Sequence, residues 1–269
     1  MKFNIKTLAA VAGLASTLIL TGCGQEETNT NLIKVGVMAG AEAQVAEVAA
    51  KVAKEQYGLD VELVTFTDYV TPNAALDDGS IDLNAFQHKP YLDQQVADRG
   101  YKIEVAGNSF VYPIAGYSKQ VTSVDQIEDG ARIAVPNDPT NLGRSLLLLQ
   151  EQGLITLRDG SGLAATVRDI TANPKNITIV ELDAAQLPRS LDDVALSVIN
   201  TTYASSLNLT PEKDGIFVED KESPYVNLIV GRTDNVNTDN VKTFVKAYQS
   251  DEVYQAALKT FKGGVVKGW

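Results

Sequence analysis

The chain has 269 residues, 44% of them hydrophobic, with 23 basic against 34 acidic side chains and a formal net charge of −11. That length and apolar content suffice for a large core, as one big domain or two lobes. The acidic balance argues against nucleic acid as a partner and against nonspecific adhesion to anionic lipid. With one cysteine and one histidine, the sequence offers no disulfide framework and no thiolate metal cluster.

Lys2 and Lys6 precede an apolar run from Leu8 to Leu20, too short to span a bilayer comfortably but suited to the core of a secretory signal. The run ends in Leu20-Thr21-Gly22-Cys23, which resembles a bacterial lipobox. Residues 1–22 are therefore expected to be a lipoprotein signal peptide and Cys23 the acylated residue. Residues 23–31, rich in Asn, Thr and Glu, read as a flexible tether.

Ile33, Val35 and Val37 alternate with polar or small residues as in a strand. A helix follows with Val45, Val48, Ala49, Val52 and Ala53 on one stripe, closed by Gly58. Val61–Phe66 is the next strand, so strand, helix, strand predicts a parallel sheet. Tyr69, just past that strand, faces either a crevice or solvent.

Ile81, Leu83 and Ala85 alternate with Asp82 and Asn84, and Phe86, Gln87, His88 and Tyr91 crowd the end of this strand, with Pro90 opening a helix. In open α/β sheets ligands lie beyond the carboxyl ends of strands, so the cluster reads as a pocket wall. Equally, Phe86 and Tyr91 are core and His88 a satisfied turn residue.

Ile103–Gly107 is a short strand, and Phe110–Tyr117 is an apolar run broken by Pro113, which favours a crossing segment between lobes. A second α/β unit then begins: a short helix headed by Ser123, a strand at Ile133–Val135, the turn Pro136–Asn141 and a helix from Leu142 to Gln152. Arg144 in its first turn is either part of an anion site or a surface arginine paired with Glu151 or Asp138. Strands at Thr178–Leu182 and Val194–Ile199 follow. Asn200 then either faces the crevice or caps a helix from Thr201.

Pro224–Val230 is a second apolar segment, and a second crossing is placed near Tyr225–Val230. Asn227 within it needs a buried partner if the segment is a strand. Helices Thr238–Ser250 and Asp251–Phe261 close the chain. The pattern gives an α/β protein of two lobes, residues 32–111 plus 230–269 and residues 112–229, with a cleft between them.

Taken together, the lipobox, Ile33–Val37, Asp82–Tyr91, Pro136–Arg144 and the terminal Gly263-Gly264 region resemble the NlpA-type, methionine-binding lipoproteins of ABC importers. The resemblance covers essentially the whole chain, and Phe86–Tyr91 and Asn137–Arg144 are its specific parts. It implies a two-lobed periplasmic-binding-protein fold that closes on L-methionine and delivers it to a permease driven by an ATPase. It further implies a monomer held to the membrane, on the periplasmic or outer side, through N-terminal acyl chains.

Carried over by position, Tyr69, Phe86, His88 and Tyr91 would wall the thioether chain. Arg144 would clamp the carboxylate, and Asn141, Asn200 and Asn227 would bind the head group. Glu42 and backbone carbonyls are candidates for the ammonium. No cofactor or metal is implied. A methionyl dipeptide, D-methionine or another small hydrophobic amino acid fits the same slot. An enzyme on this scaffold has no nucleophile paired with a base and only His88 as a conceivable base; an adhesin with a vestigial pocket is the third reading.

Overall fold

The computed structural model describes residues 31–220 and 224–269; Cys23, the signal and the tether, apart from its last residue, lie outside them. The first half of one sheet follows the expected alternation: β1 (Leu32–Met38), α1 (Ala41–Tyr57), β2 (Asp60–Phe66), α2 (Thr71–Asp77), β3 (Leu83–His88), α3 (Lys89–Arg99) and β4 (Ile103–Val111). β1 pairs in parallel with β2 and β3. The stripe of α1 from Val45 to Ala53 is buried against this sheet, and Gly58 ends the helix in the left-handed conformation at φ 70°.

Past Tyr112 the chain leaves for a second sheet. Its elements are β5 (Ala115–Tyr117), β6 (Arg132–Pro136), α4 (Pro139–Glu151), the small hairpin β7 (Thr156–Leu157) and β8 (Ile170–Ala172), then β9 (Thr178–Leu182), α5 (Leu187–Ser190), β10 (Leu196–Ile199), α6 (Thr201–Ala204), α7 (Pro211–Asp214) and β11 (Phe217–Val218). The chain then returns to the first sheet through β12 (Val226–Arg232), α8 (Asp239–Tyr248), α9 (Asp251–Thr260) and β13 (Val266–Lys267). The six-stranded sheet has the order β13-β4-β12-β3-β1-β2 and the five-stranded sheet β11-β5-β10-β6-β9. Separate apolar clusters fill the two halves, one around Phe110 and Phe244, another around Ile133 and Leu146.

Several sequence expectations shift. The first crossing is confined to residues 112–114, because β4 runs on to Val111 and β5 starts at Ala115. The second crossing precedes Tyr225–Val230: residues 226–232 form a strand held between β3 and β4, so the expected lobe limit at 229/230 falls inside β12. Asn227 is tolerated there because its Nδ2 donates to the Phe86 carbonyl at 3.0 Å. β3 does not alternate; all six of its residues are buried. Asn84 is satisfied by donating to Asn73 Oδ1, Gln87 donates to Asn73 and Asn84, and Asn73 donates to Gln87 Oε1. This closed amide set meets the requirement that buried polar groups be paired.

Helix α4 starts earlier than the periodicity suggests. Asp138 is its N-cap, accepting from Asn141 N at 2.9 Å, with Pro139 in the first turn. Gly143 lies inside this helix because a Cβ there would stand 2.2 Å from the Leu163 carbonyl oxygen. The helix thereby takes the segment 162–164 into close contact, at a propensity cost of about 1 kcal/mol.

Candidate functional site

Every residue expected at the ligand site lines one cleft between the two sheets, with an empty volume of about 350 Å³ including its mouth: Tyr69, Phe86, His88, Tyr91, Asn141, Arg144, Asn200 and Asn227. Gln87, Tyr112, Thr201 and Thr202 complete the lining.

One wall is aromatic and comes from the ends of β2 and β3 and the start of α3. Tyr69 packs on Phe86 with ring centroids 5.8 Å apart, Phe86 meets Tyr91 edge-on at 6.0 Å, and Tyr69 also touches Tyr203 at 5.0 Å. Edge and tilted packing are the favoured geometries for such rings. The Tyr91 hydroxyl donates to the Tyr69 carbonyl at 2.7 Å, tying the wall together. Both readings of the strand end therefore hold at once: Phe86 and Tyr91 are buried, and both face the cleft.

His88 caps α3 and faces the cleft as well. Its Nδ1 accepts from Tyr91 N at 3.1 Å, and its Nε2 lies 3.2 Å from Asn141 Oδ1. An amide oxygen only accepts, so Nε2 carries the hydrogen and the ring is neutral. Burial, and after it the charge of Arg144, lowers its pKa to about 3. Histidine held in this state does not serve as a general base near neutral pH.

The opposite wall belongs to α4 and the end of β10. Asn141 Oδ1 accepts from both His88 Nε2 and Asn200 Nδ2, the latter at 3.0 Å, while its Nδ2 donates to both oxygens of Asp138. With both ends of its amide engaged, Asn141 orients His88 and Asn200. Asn200 does not cap α6 with its side chain. Its Oδ1 is buried with no hydrogen-bond partner among the described residues.

Arg144 is not a surface residue, and neither Glu151 nor Asp138 is its partner. It is 4% exposed and lies a turn deeper in α4 than expected, so the first-turn N–H groups are not beside it. Its Nε donates to Glu219 Oε1 at 2.8 Å, its Nη2 donates to Glu219 Oε2 and to the Tyr112 carbonyl, and the Tyr225 ring lies 4.2 Å from its Cζ. Three of the five guanidinium donors are thereby used, leaving the two on Nη1. Glu219 thus occupies the Nε and Nη2 edge of the guanidinium.

Glu42 bridges the lobes. In the first turn of α1, it accepts from the Thr202 hydroxyl of α6 at 2.5 Å. Burial raises its pKa to about 8, against the lowering effect of the Thr202 hydrogen bond. A carboxyl so held is mostly protonated at neutral pH, and Glu42 is not among the cleft-lining residues. Sequence reasoning missed Glu219 altogether. Asp138-Pro139, an N-cap followed by proline, was the local signal that would have set the start of α4 and so the depth of Arg144.

Two α/β lobes linked by two crossings, with an aromatic wall facing an arginine and two amides, define a two-lobed solute-binding protein of the periplasmic type. The chain belongs to the NlpA lipoprotein family, whose model matches residues 33–269. It is 75% identical over 269 residues, all of both chains, to the "Probable D-methionine-binding lipoprotein MetQ" of Vibrio cholerae. A nutrient-binding protein from Burkholderia cenocepacia solved bound to methionine superposes with a TM-score of 0.87 at 53% identity, covering 88% of this chain and all of that one. An ABC transporter periplasmic substrate-binding protein from Coxiella burnetii gives 0.86 at 49% identity, covering 88% of this chain and again all of the other.

Proposed function

We propose that this chain is the extracytoplasmic receptor of an ABC-type importer and captures methionine between its lobes. The observation that carries the reading is the juxtaposition, in one cleft, of the Tyr69–Phe86–Tyr91 wall with Arg144 and Asn200. The unbranched thioether lies along the rings, each sulfur–aromatic contact contributing on the order of 0.3–1.5 kcal/mol. Arg144 Nη1 donates to the carboxylate. The ammonium donates to Asn200 Oδ1, which lacks a partner among the described residues, and to Asn227 Oδ1, whose amide nitrogen is already committed to Phe86. Asn141 and His88 hold this head-group site in place without touching the head group.

Binding to both lobes at once favours the closed arrangement by the ligand's differential affinity, and the permease reads that shape. Acylation at Cys23 keeps the receptor at the membrane surface. Among the described residues no helix is long and apolar enough to cross a membrane.

The test is the melting temperature of the detergent-purified chain with L-methionine, D-methionine, leucine and glutamate. A clear rise with a methionine enantiomer and little with the others supports the reading; equal shifts for all four refute it. The names of the relatives favour the D-enantiomer as a second reading, and the same titration ranks the two.

A further inference from the structure

We propose that Glu219 makes the cleft select a zwitterion over a simple anion, by cancelling the charge of the arginine that receives the carboxylate. The inference rests on the reading of the cleft as an amino-acid site. Glu219 follows β11 at the crossing between lobes, where its backbone N–H donates to the Ile114 carbonyl at 2.9 Å and its Oε2 accepts from Ile114 N at 3.3 Å. This double attachment fixes the carboxylate on the Nε and Nη2 side of Arg144, and the pair is buried, with side chains 4% and 11% exposed.

Charge accounting then decides what the cleft accepts. His88 is neutral, and Asp138 is turned to Thr140 and Asn141. The one guanidinium lining the cleft therefore meets its counter-charge within the protein before any ligand arrives. A monoanionic ligand would bring a desolvated charge with no unmatched cation among the described cleft-lining residues to receive it, which is costly in a buried site. A zwitterion carries its own compensation, its ammonium lying on the amide oxygens of Asn200 and Asn227. Arg144 supplies direction through Nη1, and Glu219 removes its surplus attraction for acids.

The test compares L-methionine with its hydroxy-acid analogue, in which a hydroxyl replaces the ammonium, by calorimetric titration of the full chain in detergent. Wild type is expected to prefer the zwitterion strongly. Glu219→Gln removes the negative charge at nearly constant shape, and the preference should shift toward the hydroxy acid by about tenfold or more. Glu219→Asp keeps the charge, so both affinities fall together and the ratio stays near wild type. A merely structural Glu219 would weaken both ligands equally in both variants, and that result, or an altered ratio in Glu219→Asp, overturns the inference. A wild-type chain that binds neither L-methionine nor the analogue overturns the amino-acid reading as well.

Discussion

The two walls of the cleft are built on different physics. The wall from β2, β3 and α3 is a set of rings in mutual contact, its cohesion spread over many weak edge and tilted contacts. The wall from α4 and β10 is a chain of directed bonds, Asp138 to Asn141 to Asn200, with Arg144 fastened separately to Glu219 and Tyr112. A spread interaction degrades gradually when one member shrinks. A directed one strands a buried partner, and the penalty is that partner's desolvation.

The contrast is most easily broken at Arg144. Arg144→Ala leaves Glu219 without its cation and should destabilise the fold by about 3–5 kcal/mol, with a lower melting temperature, and methionine affinity should fall as well; a loss of affinity under tenfold in titration would mean the polar wall is no more brittle than the aromatic one. Gly143→Ala presses a methyl on the Leu163 carbonyl and should destabilise the chain by about 1–3 kcal/mol in denaturant unfolding. Asn141→Ala removes the shared acceptor of His88 and Asn200, and binding should weaken by about 1–3 kcal/mol. Tyr91→Phe deletes only the bond to the Tyr69 carbonyl, so a loss of about 1 kcal/mol is expected and the ring contacts persist.

The remaining prediction is one of pH. Glu42, raised to about 8 by burial, holds in the fold a proton that the unfolded chain releases above its ordinary value of 4.5. Its contribution to stability is therefore complete below pH 4.5 and is lost as pH rises toward 8. His88, lowered to about 3 chiefly by burial, behaves oppositely: its contribution is present above its ordinary 6.5 and is lost as pH falls toward 3. Glu42→Gln should flatten the alkaline limb of a melting-temperature profile and leave the acid limb unchanged.

The legibility of the molecule follows the same division. β1, α1 and β2 were readable because period and capping are local, and the aromatic wall because its rings cluster within a few residues of two strand ends. The polar wall was half readable. Arg144 and Asn200 stood out as residue types, but the partner of Arg144 lies 75 residues on, just past a two-residue strand and in no motif. β12 was misplaced because Asn227 looks like an interruption until the Phe86 carbonyl, 141 residues away, is known to receive it. The partners of Asn84 were hidden for the same reason, its companions Asn73 and Gln87 being brought to it by the fold.

That buried trio carries a consequence for divergence among relatives. Each of the three amides serves as both giver and receiver for another, so an apolar replacement at one position leaves the other two joined to each other but each short of a partner. Positions 73, 84 and 87 should therefore drift as a block, exchanged together for a hydrocarbon filling or retained together. A lineage in which just one of them has become leucine should carry a compensating change alongside it.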